Sequence, residues 1–255
     1  MQPLHIDKIG HGPDLVLLHG WGMHGGIWDG LHEALSQRFR LHVVDLPGYG
    51  ASAHCEPYTL AGLADAVAQA LPQRAHVCGW SLGGQVALRL ALDFPERVNR
   101  LVLIGTTPCF RQRADWPHGM DDATLEEFAR SLETDYAGTL KRFLSLQARS
   151  GDDARAVIAA LREKLFARGE PSLAALRAGL ALLRDIDLRD AVAEIAQPSL
   201  VIHGARDTVT PAAAGEWLAQ RLPHCALTIV GGSAHAPFLS HRAETLRAME
   251  QFLNG

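Results

Sequence analysis

Three residues far apart in the 255-residue chain carry the side chains that acyl transfer needs: Ser81, Asp207 and His235. A serine hydroxyl is a poor nucleophile until an imidazole takes its proton, and a carboxylate must hold that imidazole in the right tautomer. Ser81 stands in Gly79-Trp80-Ser81-Leu82-Gly83-Gly84. The apolar run at 75–78 predicts a buried strand, and 85–92 carries apolar residues at helical spacing. Gly-x-Ser-x-Gly between a strand and a helix is a nucleophile elbow. So sharp a turn strains the serine backbone, and the flanking glycines let neighbouring backbone come close. The helix N-terminus beneath it favours developing negative charge. Taken singly, His235 reads as a loop histidine and Asp207 as a cap for the helix after Pro211. Their joint placement, each just beyond a predicted strand, assigns them to Ser81.

The elements that must position these residues follow a rhythm. Strands are predicted at 4–9, 15–18, 41–46, 75–78, 100–104, 199–204 and 226–230, with helices at 59–71, 85–92 and about 241–253. This alternation predicts an α/β fold, a mostly parallel central sheet with helices on both faces. Parallel strands end on one edge, where residues remote in sequence can meet. From 111 to 190 the rhythm stops, and helices at 124–131, 139–148, 154–167 and 172–183 follow without a strand. The expected organisation is a core of 1–110 and 191–255, with 111–190 a helical lid inserted into the same domain. The strand at 15–18 runs into His19-Gly20-Trp21-Gly22, a glycine-rich loop that leaves backbone N–H groups aimed into a cleft. It is expected to supply half of an oxyanion hole through Trp21 N–H, with Leu82 N–H as the second donor. Asp45 precedes Ser81 and sits in the turn Asp45-Leu46-Pro47-Gly48-Tyr49-Gly50, so a turn-stabilising role is expected of it.

Composition excludes several classes. Apolar residues are 47% of the chain, enough for a sizeable core, yet no run approaches the ~20 residues of a membrane span. A formal charge of -4 argues against a nucleic-acid partner. Met1-Gln2-Pro3-Leu4-His5 lacks the basic-then-apolar pattern of a signal peptide. The four cysteines are scattered without CxxC spacing, so a reducing cytoplasm is expected rather than a disulfide framework. Thirteen histidines fall mostly singly in loops, with no HExxH, and neither a metal nor a cofactor is expected. The chain is expected to act as a monomer away from membranes.

These motifs, together with His203-Gly204-Ala205-Arg206-Asp207 and Gly232-Ser233-Ala234-His235, make the chain resemble the α/β-hydrolase superfamily over nearly its whole length. More narrowly it resembles the family of pimeloyl-[acyl-carrier protein] methyl ester esterases of bacterial biotin synthesis. That resemblance rests on His19-Gly20-Trp21-Gly22, Cys78-Gly79-Trp80-Ser81-Leu82-Gly83-Gly84, Phe143-Leu144-Ser145-Leu146-Gln147 and Asp187-Leu188-Arg189. It implies that Trp21, Ser81, Leu82, Phe143, Gln147 and His235 line the acyl site. It also implies a partner, an acyl-carrier protein bearing the pimeloyl methyl ester, with short esters as further substrates.

The expected activity is therefore a serine carboxylesterase. A carbon–carbon bond hydrolase of the same fold would use the same triad, and a non-catalytic binding protein of this fold would have lost a triad member. Haloalkane dehalogenation would need an aspartate where Ser81 stands. Between Gly138 and Arg168 seven basic residues (Lys141, Arg142, Arg149, Arg155, Arg162, Lys164, Arg168) face three acidic ones (Asp152, Asp153, Glu163). Arg142 and Arg149, and Arg155 and Arg162, are seven apart, which sets each pair near one helical face. Arg142, Arg155 and Arg162 are the expected docking residues for an acidic carrier protein. Phe143 and Gln147 are expected beside them at the mouth of the pocket.

Overall fold

The computed structural model describes residues 3–254. Met1 and Gln2, part of the N-terminal stretch read above for a leader, lie outside the described residues, as does Gly255. In chain order come β1 (Ile6–Ile9), β2 (Asp14–Leu18), α1 (Asp29–Leu35), β3 (Arg40–Val44), α2 (Leu60–Ala70), β4 (Ala75–Trp80), α3 (Leu82–Asp93) and β5 (Val98–Ile104). Four helices follow, α4 (Asp122–Thr134), α5 (Tyr136–Ala148), α6 (Ala154–Leu165) and α7 (Leu173–Asp185). The chain returns through β6 (Ser199–Gly204), α8 (Ala212–Arg221), β7 (Cys225–Val230), α9 (Pro237–Ser240) and α10 (Arg242–Asn254).

The seven strands form one sheet in the order β1-β3-β2-β4-β5-β6-β7, with only β1 antiparallel to its neighbour. Every residue of β4 and β6 is buried, polar His76, Ser199 and His203 included, as befits strands covered on both faces. The strand order reverses between β2 and β4, so the loops leaving these two strands flank the crevice where such sheets place ligands.

Two elements depart from the sequence reading. Helix α1 had no clear signature, being short, with a glycine and a histidine among its seven residues; Leu31 and Leu35, four apart, bury its inner face. Helix α3 begins at Leu82, not at Gln85, and so carries Gly83 and Gly84 in its first turn. A Cβ at Gly83 would strike the main chain of Leu18 and His19, so the glycine's weak helix propensity is overridden by close packing of α3 on the end of β2.

The insertion from α4 to α7 sits on the sheet through specific contacts. The Trp21 indole donates to the carbonyl of Leu176 at 2.9 Å, and Phe143 meets the Trp21 ring edge-on at 5.0 Å. His24 Nε2 donates to the carbonyl of Lys164 at 2.6 Å, capping the end of α6. Lys164 pairs with Asp29 at 2.8 Å, and Arg168 with Asp7 at 2.6 Å and Asp45 at 3.4 Å. Two of the seven basic residues counted above therefore fasten the insertion to the core and are not available on its outer face.

Asp45 anchors both the fastening and its own turn. Its carboxylate is fully buried and accepts from Gly25 N–H at 2.7 Å and Ala51 N–H at 3.0 Å. Burial alone would raise its pKa, but these N–H groups, with His19 and Arg168, hold it below the ordinary value. A depressed folded-state pKa gives stability that is present above the unfolded value and lost as pH falls. Thermal stability is accordingly expected to drop on acidification below about pH 4, and Asp45→Asn to weaken that dependence. Asp45→Ala, which orphans two buried N–H groups and a guanidinium, is expected to cost about 3 kcal/mol in chemical denaturation.

Candidate active site

Ser81 lies between the end of β4 and the start of α3 with φ 55° and ψ -118°, a backbone state that non-glycine residues rarely adopt. Its own N–H is spent on the carbonyl of Ile104 at 3.0 Å. The side chain is nearly buried and faces Gly20, where a Cβ would come within 3.3 Å of the Ser81 Cβ. The serine thus sits under the loop leaving β2, as the crossing at the sheet's reversal dictates.

Asp207 and His235, both buried, meet from the loops after β6 and β7. His235 Nδ1 donates to Asp207 Oδ2 at 2.7 Å. The other carboxylate oxygen accepts from Val209 N–H at 2.8 Å and Thr210 N–H at 2.9 Å. Asp207 therefore closes the turn before α8 and not the helix itself, whose own N-cap is Pro211 without a side-chain cap. Burial would raise its pKa, but His235 and His203 more than offset this and keep it far below the usual carboxylate range. With Nδ1 protonated, His235 Nε2 carries a lone pair, and it is buried without a hydrogen-bond partner among the described residues, Ser81 Oγ included. In the absence of substrate such catalytic hydrogen bonds are often long.

Sequence comparison matches a protein-family model described as alpha/beta hydrolase fold to residues 13–242. The chain belongs to the alpha/beta hydrolase family. A protein of Nitrosomonas europaea named pimeloyl-[acyl-carrier protein] methyl ester esterase is 52% identical over 240 residues, covering 94% of this chain and 95% of its own. One of the same name from Aeromonas hydrophila is 43% identical over 250 residues, covering 97% and 98%. Among solved structures, a bromoperoxidase from Bacillus anthracis superposes with a TM-score of 0.90 at 25% identity, covering 99% of this chain and 95% of its own.

Around the hydrolase centre, the remaining expected residues take distinct places. Leu82 is the first residue of α3, and the first N–H groups of a helix have no carbonyl a turn earlier to bond. Trp21 occupies the loop above Ser81, its indole and ring held by α7 and α5. Phe143 and Gln147 are buried, not at a rim, with Phe128 of α4 packed edge-on against Phe143. The Gln147 carbonyl accepts the main-chain N–H of His235 at 3.0 Å, and the Trp80 indole donates to the carbonyl of His235 at 2.9 Å. Arg142, Arg155 and Arg162 are exposed on α5 and α6. Sequence reasoning gave no role to His19, which donates from Nδ1 to Gly20 O at 2.8 Å and accepts Leu46 N–H at Nε2 at 2.9 Å, tying the two loops together. Burial, the largest influence, holds its pKa well below the ordinary imidazole value, so it keeps this neutral form. Its place at the head of the His-Gly motif was the only signal.

Proposed function

We propose that the chain is a serine carboxylesterase that hydrolyses the methyl ester of pimeloyl-[acyl-carrier protein], releasing methanol. The reading is carried by the buried Asp207–His235 pair beside a strained serine, in a chain whose relatives of that name match it nearly end to end. Ser81 Oγ attacks the ester carbonyl as His235 Nε2 takes its proton. The oxyanion is held by Trp21 N–H and Leu82 N–H, aided by the positive end of α3. His235 then returns the proton to the departing methoxide, and water activated by the same imidazole cleaves the acyl-enzyme. Residues 111–190 act as a lid, within the same domain as the core formed by 1–110 and 191–255. The acyl chain lies along Trp21, Leu82, Phe143 and Gln147. The test is to compare kcat/KM for the carrier-bound methyl ester with that for short p-nitrophenyl esters. A preference for the short esters would remove the carrier-bound ester as the substrate.

The carrier docks on the exposed arginines of α5 and α6. An acidic partner would be steered by Arg142, Arg155 and Arg162, which affects association more than chemistry. Replacing all three by alanine is expected to raise KM for the carrier-bound ester by about tenfold and to flatten its salt dependence. Hydrolysis of a p-nitrophenyl ester should hold constant. Parallel loss on both substrates would assign the arginines to the lid's own structure.

A further inference from the structure

The triad leaves a second buried histidine without a role. His203, in β6, is fully buried, and its Nε2 lies 2.6 Å from the main-chain oxygen of Thr210 and 3.4 Å from Oδ2 of Asp207. A carbonyl oxygen only accepts, so Nε2 carries the proton and donates. Nδ1 then holds the lone pair, and among the described residues it has no partner. It faces Gly215 of α8, where any Cβ would run into the imidazole ring. A second ring proton would be buried there with nothing to accept it, so the site suits one neutral tautomer. Thr210 completes the cluster: its hydroxyl lies 2.9 Å from Asp207 Oδ2, 3.1 Å from the Gly105 carbonyl and 3.2 Å from His235 Nδ1.

We propose that His203 is a positioning residue for the catalytic acid, its ring N–H pinning the Thr210 turn beside the same Asp207 oxygen that receives His235. The inference rests on the triad reading above. Asp207 has its Oδ1 held by two main-chain N–H groups, but Oδ2 is the oxygen that matters to the base. His203 stands 3.4 Å from it and holds the carbonyl of Thr210, whose hydroxyl lies 2.9 Å from the same oxygen, and the small volume of Gly215 is what lets the ring approach. The titratable groups that face the ring are Asp207 and, across Thr210, His235; α8 brings the main chain of Gly215.

The test pairs His203→Leu, which deletes the donor and keeps most of the volume, with His203→Gln, which restores an N–H. On a p-nitrophenyl ester, His203→Leu is expected to lower kcat about tenfold to a hundredfold with KM little changed. His203→Gln should recover most of that loss. Wild-type kcat in His203→Leu would show a space-filling ring and overturn the proposal, as would a kcat loss that glutamine does not relieve. If His203→Leu does not fold, nitrogen-15 NMR of the wild-type ring decides. A proton that stays on Nε2 from about pH 5 to 9 supports the assignment, and a proton on Nδ1 refutes it. Failure of the triad itself would look different: Asp207→Asn would then remain active.

Discussion

Ser81→Ala is expected to abolish ester hydrolysis, with kcat falling about a millionfold, because nucleophile and base act as a unit and neither works alone. KM and the melting curve should change little, since the side chain donates to nothing in the resting site. Substantial residual turnover, or a phosphonate probe labelling another serine, would remove Ser81 from the mechanism. A companion variant reads out the strain at this position. Ser81→Gly is equally inactive but frees the φ of 55° from its side-chain penalty, so it should be more stable than Ser81→Ala by about 1 kcal/mol. Equal stabilities would mean that the elbow stores no strain.

Asp207→Asn should lower kcat by about four orders of magnitude while leaving the fold intact. The retained amide oxygen can still accept from Val209 and Thr210, so the turn before α8 survives. The new NH₂ points at His235 Nδ1 and demands a lone pair there, which moves the ring proton to Nε2 and closes it to the serine. Asp45→Asn is the contrasting case. It alters acid stability through the Gly25, Ala51 and Arg168 contacts and should leave kcat within a few-fold of wild type. If Asp45→Asn is instead the change that destroys turnover, the acid has been misassigned.

The nucleophile was legible because its signal is local: strand, elbow and helix lie within some twenty residues and each has its own pattern. Asp207 and His235 were legible only jointly, through their equivalent places after β6 and β7. What escaped was everything decided by pairing across the chain. Lys164 and Arg168 counted as free charge in sequence, yet their carboxylate partners stand 135 and 161 residues away. The same holds for Phe143 and Gln147, which helical spacing places on α5 but which become buried only because Phe128 and the His235 loop close over them. The early start of α3 escaped for the opposite reason, since local propensity argued against Gly83 and Gly84 and packing overruled it.

The strands on either side of the helical insertion are hydrogen-bonded neighbours, with Leu101 to Ile104 in register with Ser199 to Ile202. Because that pair is parallel, the chain leaves at one edge of the sheet and re-enters at the other. The insertion itself opens and closes at nearly one point, where Cys109 forms a β-bridge with Asp187 and the Leu188 N–H donates to the Pro108 carbonyl. Closing a longer or shorter excursion costs little, about 0.6 kcal/mol for each doubling of its length. Residues of the insertion can thus be rewritten over tens of positions while the strand register is left alone. The insertion touches the base through the main-chain contact of Gln147 with His235, so exchanging it between relatives should transplant substrate preference with turnover intact only where that contact is kept.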